Sequence, residues 1–161
     1  AVPVGRPDHL LRNPGRHMKA HFYLSKDELL HDWNRIEPLL ETVVDRACHG
    51  EYDVADLKRL ALSKNVLIGA FFDENDVPLL AFAFEFRYYP KKTAVNILAL
   101  GGHRMDAVFG AFLEQFKTWA AKAGADFLEA SCSPAMTRML SRYGYQEMYR
   151  QLRLNLKQEE P

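Results

Sequence analysis

Residues 77–88 of this chain place Phe82, Phe84 and Phe86 at alternate positions. Successive side chains of a strand point to opposite faces, so this run defines one strongly apolar sheet face that something else must cover. Two further strand-like stretches flank it, at 65–72 and 93–100. Asp73-Glu74-Asn75-Asp76 and Pro90-Lys91-Lys92 separate the three, and both are turn sequences. Three strands joined by tight turns predict an antiparallel meander.

The flanking sequence supplies the covering layers. A short alternating run, 19–24, reads as a strand. Ser25 stands three residues before Glu28, the spacing of a capping box, and Leu29, Trp33 and Ile36 follow at helical intervals. Pro38 is expected to kink that helix or to open a second one, with Leu39, Leu40, Val43, Val44 and Ala47 on its face. Asp53 is a cap for a third short helix. After the meander, 106–123 carries Val108, Phe112, Phe116, Trp119 and Ala120 on one face and stops at Gly124. A strand at 127–131, a helix opened by Ser133-Pro134 and ended by Gly144, and a strand at 147–156 complete the body. The prediction is a mixed α/β (α+β) fold in the order β-α-α-α-β-β-β-α-β-α-β, with a mostly antiparallel sheet flanked by helices.

At 161 residues the chain is long enough for one good core. We expect a single domain over 18–161, preceded by a flexible extension at 1–17. That extension holds Arg6, Arg12 and Arg16 with no apolar periodicity. His17-Met18 reads either as a tag junction before a native start or as part of a natural arm. Lys plus Arg and Asp plus Glu are equal at 21 each, and removing the extension leaves the body slightly acidic, at about −2. That balance argues against binding nucleic acid by bulk charge. No apolar run approaches the roughly 20 residues of a membrane span. Cys48 and Cys132 do not make a disulfide framework and suit a reducing compartment, and the histidines and cysteines have no metal-ligand spacing.

The element order, the strand and Gly-rich turn before a long helix at 95–123, and Arg142-Tyr143-Gly144-Tyr145 between the last helix and last strand resemble the Gcn5-related N-acetyltransferase (GNAT) superfamily. The likeness covers 18–156. Trp33, Glu37-Pro38-Leu39-Leu40, Tyr89-Pro90 and Leu100-Gly101-Gly102 look more narrowly like GNAT-like proteins encoded by tailed phages and prophages.

The resemblance implies acetyl-CoA wedged between the fourth and fifth strands, its pyrophosphate on the N-terminus of the following helix. Carried onto this chain, the cofactor residues are Leu98 and Leu100 on the strand and Gly101, Gly102, His103, Arg104, Met105 and Asp106 in the turn. The turn departs from the family: its glycines come early, Val108 stands near where a glycine is usual, and Asp106, an acceptable N-cap, brings a carboxylate toward the phosphates. Glu85, between Phe84 and Phe86 and therefore facing the other way, is the candidate base, with Glu129 of similar standing. Leu140 occupies the position where many relatives carry an acidic Tyr; Tyr143, one helical turn on, is the candidate acid. Cys132 is expected to be a buried structural cysteine. Lys91-Lys92 reads as a solvated turn, and Arg138, Arg142, Arg150 and Arg153 lean the C-terminal third basic.

Two functions follow from the resemblance. One is an acyl-CoA-dependent N-acetyltransferase acting by direct transfer on a small-molecule or protein amine, in the cytoplasm of a bacterial host cell. The other is a catalytically inactive phage protein of the same fold, a virion or assembly component that binds other proteins. Neither needs a metal or a membrane, and both a monomer and a homodimer are compatible.

Overall fold

The computed structural model describes residues 18–157. The extension expected at 1–17 lies outside the described residues. The chain divides after Ala130 into a larger compact unit and a smaller one that begins at Ser131.

The larger unit contains β1 (Lys19–Tyr23), α1 (Lys26–Ala47), α2 (Val54–Leu62), β2 (Leu67–Phe72), β3 (Pro78–Tyr88), β4 (Thr93–Gly102), α3 (Met105–Lys122) and β5 (Phe127–Ala130). The smaller one contains α4 (Pro134–Ser141). One five-stranded sheet runs β1-β2-β3-β4-β5. Every pair is antiparallel except β4 with β5, which is parallel. This is the expected mixed, mostly antiparallel sheet with helices around it.

The two faces of the sheet are packed by different rules. On one, Phe22, Phe71, Phe82 and Phe84 meet Phe112, Phe116 and Trp119 of α3 in a connected set of ring contacts. On the other, the sheet offers small side chains, Ala70, Ala81, Ala83 and Ala99, to Leu29, Trp33, Ile36, Leu39, Leu40 and Val44 of α1. Small residues let α1 lie close. Gly101 is the extreme case: a Cβ there would stand 2.5 Å from the Leu39 carbonyl oxygen.

Two expected elements take a different form. Where Pro38 is expected to kink the helix or to open a second one, no second helix opens: one helix of 22 residues runs through it. Proline inside a helix costs about 3 kcal/mol. Each fully buried Leu or Val returns about 1.5–3 kcal/mol, and Leu39, Leu40 and Val44 are all buried just beyond Pro38. Packing therefore outweighs the lost donor. The closing strand expected at 147–156 belongs to no ladder of the sheet. The alternation that predicted it is present, but Leu152, Leu154 and Leu156 are exposed rather than packed.

The caps follow the sequence more closely. Ser25 Oγ accepts the Glu28 amide, Asp53 and Asp56 form a reciprocal capping box, and Ser133 Oγ accepts the Met136 amide. Gly124 takes a left-handed φ of 96° just past α3, as a helix stop requires.

Candidate active site

The parallel pairing of β4 with β5 runs from Ala94 opposite Phe127 to Ile97 opposite Ala130 and then stops. β4 continues to Gly102 beside β3 alone. Among the described residues of this unit, 98–102 therefore pair with a strand on one side only. The register slips where this begins: Phe84 faces Ile97 and Ala83 faces Ala99, so Leu98 is an extra residue, a β-bulge. Bulges turn backbone groups out of the ladder and leave them for other partners. Tyr52, between α1 and α2, takes one of them, its hydroxyl donating 2.8 Å to the Leu98 carbonyl. Burial, then Cys48 and the charges of Glu51 and Glu85, push the Tyr52 phenol well above its ordinary value. It stays protonated and a donor. Sequence reasoning did not single out Tyr52; a tyrosine between two helices carries no spacing signal.

β4 leads into α3. Gly101 and Gly102 were expected in a phosphate turn, but both are paired strand residues opposite Ala81 and Leu80. Their lack of a side chain serves packing. A Cβ on Gly102 would fall 2.1 Å from the Leu79 carbonyl oxygen. The turn is His103 and Arg104, the first donating its amide to that same Leu79 oxygen at 3.0 Å, the second left-handed at φ 57°. Arg104, not Asp106, is the N-cap, and no side chain caps the helix. The helix starts one residue earlier than expected because the left-handed turn at Arg104 already aims Met105 along its axis. Ala107 and Val108 donate to the Arg104 carbonyl. Among the described residues the amides of Met105 and Asp106 have no recorded acceptor, so α3 presents donors and positive dipole outward. Asp106 lies in the first turn, where its carboxylate already complements that dipole. Of the expected cofactor residues on the strand, Leu100 is buried and Leu98 half-buried, which leaves their backbone rather than their side chains open to a ligand.

A row of polar side chains crosses three strands on the α1 side of the sheet. Glu85 faces Asn96 across the β3–β4 ladder, and Asn96 faces Glu129 across β4–β5. Glu85 is opposite in direction to Phe84 and Phe86, as the pleat requires. Its Oε1 accepts from Asn96 Nδ2 and from Arg87 Nε, both at 3.2 Å. Arg87 also reaches Glu129 at 3.6 Å, and the Tyr89 hydroxyl donates 2.7 Å to the same Glu129 Oε1. Asn96 is 4% exposed and, among the described residues, the one buried residue with a polar side chain of the Asn, Gln or charged type. The two carboxylates are held about a single guanidinium, and the Glu85 side chain is 29% exposed. Its Oε1 is fixed by donors, and Oε2 has no recorded partner among the described residues.

The remaining candidates lie in the smaller unit and are described within it. Tyr143 follows α4 and is partly exposed; Leu140, where a tyrosine is usual, is buried. Cys132, expected to be buried, is exposed, 3.3 Å from the Thr137 hydroxyl. It lies past β5 and just ahead of the Ser133 cap, outside any helix or strand. Among the described residues no group of three His, Cys, Asp or Glu side chains is arranged to hold a metal ion, and no helix is long and apolar enough to cross a membrane.

No family model matches the sequence, and no curated protein does. Solved structures do match. A probable acetyltransferase superposes with a TM-score of 0.66 at 16% identity, over 88% of this chain and 99% of its own. An aminoglycoside acetyltransferase from an uncultured soil metagenomic sample, in complex with sisomicin, gives 0.62 at 15% identity, over 88% and 98%. The aminoglycoside 6'-N-acetyltransferase of Acinetobacter baumannii gives 0.59 at 11% identity, over 88% and 99%. At such identities the likeness is one of architecture alone: this chain has the GNAT fold.

Proposed function

We propose that this chain is an acyl-CoA-dependent N-acetyltransferase that passes an acyl group directly to an amine. The observation that carries the reading is the end of β4–β5 pairing at Ile97, with the Leu98 bulge and the unpartnered amides of α3 beyond it.

The residues present fit acetyl-CoA in two respects and oppose it in one. The Met105 and Asp106 amides, with Arg104 and His103 exposed beside them, suit a pyrophosphate. Backbone between Leu98 and Leu100, freed from β5, suits a thioester carbonyl. The Asp106 carboxylate repels phosphate and weakens the site without closing it. When bound, acetyl-CoA supplies an activated thioester. Amides of 98–100 would stabilise negative charge at the carbonyl oxygen. Glu85 Oε2, the oxygen left open by Asn96 and Arg87, would take the proton of the attacking amine.

The acceptor we propose is a small-molecule amine. Glu85 and Glu129 about one Arg87 leave an acidic surplus that suits a cation, and two of the similar structures are aminoglycoside acetyltransferases, one of them solved with sisomicin. A protein amino group is the second acceptor class. The narrower likeness to phage and prophage proteins rests on the spaced residues around Trp33, Tyr89-Pro90 and Leu100-Gly101-Gly102, and suits an enzyme made in a bacterial host cell.

Calorimetry with acetyl-CoA tests the reading, followed by thiol release with a panel of polyamines and aminoglycosides. Micromolar binding and amine-dependent release of CoA are expected. No binding at millimolar acetyl-CoA would overturn the enzyme and leave the fold as a protein-binding module of a phage particle.

A further inference from the structure

Asn96 breaks the local rules of the strand that carries it. Residues 94–100 read Ala-Val-Asn-Ile-Leu-Ala-Leu, an apolar run interrupted once. Asparagine is depleted in strands, and this one is buried on β4 with a strand on either side. Moving a side-chain amide from water to such a place is costly unless it is bonded. Among the described residues its side chain has one recorded partner, Glu85 Oε1, 3.2 Å from Nδ2. An apolar residue of the same size would carry no such cost. A residue that stability does not favour, placed beside a candidate base, points to a use in the site.

Asn96 also treats two acids differently. It faces Glu85 across one ladder and Glu129 across the other. It donates to Glu85, and among the described residues no recorded bond joins it to Glu129. A carboxylate only accepts, so the donor end of the amide has to face the acid it bonds. The hydrogen bonds from Arg87 to Glu85 and from Tyr89 to Glu129 are exposed, whereas that from Asn96 is partly buried. Water competes least with the buried bond, so that bond sets where the Glu85 carboxylate rests. Leu98 stands two residues further along β4, about 7 Å away, and packs on the same α1 side of the sheet.

We propose that Asn96 is a positioning residue: its amide holds Glu85 Oε1 so that Glu85 Oε2, and not Glu129, takes the proton of the amine. The inference rests on the acetyltransferase reading above. Asn96 acts only through Glu85. Because it and the Leu98 bulge belong to one stretch of β4, the base is fixed relative to the freed backbone of 98–100 by a strand rather than by a loop.

The test is Asn96→Leu, read with acetyl-CoA and the amine of the polyamine and aminoglycoside panel that is turned over fastest. The variant should keep its far-UV spectrum and its KM for acetyl-CoA, while kcat falls about 10–100-fold, the cost of a base displaced by about 1 Å. In Glu85→Gln protein the same change should cost less than twofold more, since nothing is left to position. Asn96→Asp keeps the shape without the donor and should lose kcat in the same way. A readout without acetyl-CoA is the side-chain amide signal of Asn96 in nitrogen–proton spectra, which should move on Glu85→Gln and stay in place on Glu129→Gln. An unchanged kcat in both Asn96 variants, full additivity with Glu85→Gln, or an amide signal that answers to Glu129 would overturn the role and leave the enzyme standing. Two Asn96 variants that both fail to fold would show a purely structural residue, which also overturns it. A wild type without amine-dependent release of CoA overturns the acetyltransferase reading, and this role with it.

Discussion

The hydroxyl of Tyr52 donates a 2.8 Å hydrogen bond to the carbonyl of Leu98, the extra residue of the β4 bulge. A bulge leaves its extra residue out of the ladder, so this bond fixes the backbone where β4 outlasts β5. Tyr52→Phe removes the donor and keeps the ring. A half-buried carbonyl left without a partner costs about 1–3 kcal/mol. The variant should be less stable by that amount, read from urea unfolding. If the bulge positions the thioester, turnover should fall further than stability explains, with acetyl-CoA affinity little changed.

Glu85 offers a cleaner separation of structure from chemistry. Its Oε1 is engaged by Asn96 and Arg87, both donors; a glutamine oxygen can still accept from both and gives up only the charge of the partly exposed pair with Arg87. Glu85→Gln should therefore leave the fold and acetyl-CoA binding unchanged. A base contributes about 10²–10⁴ in rate. Turnover measured by thiol release should fall by that range at neutral pH, and the loss should shrink as rising pH deprotonates the free amine. An unchanged rate would move the base to Glu129 or to water.

How much of this was legible beforehand depended on which force set each feature. The phenylalanines at period two fixed the central strand and the face that α3 covers, because burial of large apolar groups dominates local preference. The same alternation gave the direction of Glu85, away from the Phe84 and Phe86 face. Pro38 was misleading: its local cost is real, but Leu39, Leu40 and Val44 outweigh it, and that burial is a tertiary fact. Gly101 and Gly102 were read as a turn because glycine has two uses, left-handed backbone and close approach. Only coordinates show that Leu39 and Leu79 carbonyls fill the missing side-chain space. Tyr52 and Asn96 gave no signal, since their partners lie 46 and 11 residues away, beyond any local spacing pattern.

The α3 N-terminus carries opposing charges, and their balance is measurable. Asp106 stabilises the helix and repels phosphate, while Arg104 attracts it without a recorded ion pair among the described residues. Charges near a helix terminus contribute about 0.3–1 kcal/mol, or about two- to fivefold. Asp106→Asn should tighten acetyl-CoA by about that factor and Arg104→Ala should weaken it similarly. Both effects should fade above about 0.5 M salt, where screening shortens to a few ångströms. Calorimetry across salt concentrations checks the pair. Changes of the opposite sign would place the pyrophosphate elsewhere.

Gly101 tests the close approach of α1 to the sheet. Its φ is not left-handed, so alanine meets no backbone penalty and the cost is spatial alone. The new Cβ would stand 2.5 Å from the Leu39 oxygen and 2.7 Å from Val43 Cγ2. One is rigid helix backbone and cannot rotate away. Overpacking of this kind costs about 1–3 kcal/mol, which for a chain of this size lowers Tm by roughly 3–10 °C. Scanning calorimetry of Gly101→Ala measures it. A shift below 1 °C would mean that α1 rides more loosely on β4 than the geometry implies.

Tyr145 holds a polar group where it has little use. Its hydroxyl is buried and, among the described residues, without a hydrogen-bond partner. Burial first, and the Cys132 thiol second, push its phenol up from 10.0 to about 12. Leaving such a group unsatisfied costs about 1–3 kcal/mol, so Tyr145→Phe should stabilise the protein, with a higher urea midpoint at pH 7. The pH dependence has a definite sign. Below pH 10 the phenol is protonated folded and unfolded, and its contribution is constant. Between 10 and 12 the unfolded chain releases the proton first, so wild-type stability falls as pH rises. The Phe variant loses that part of the alkaline decline, and its advantage should therefore widen from pH 9 to pH 11. A variant less stable at pH 7, with the same alkaline slope, would mean that the hydroxyl is satisfied in solution.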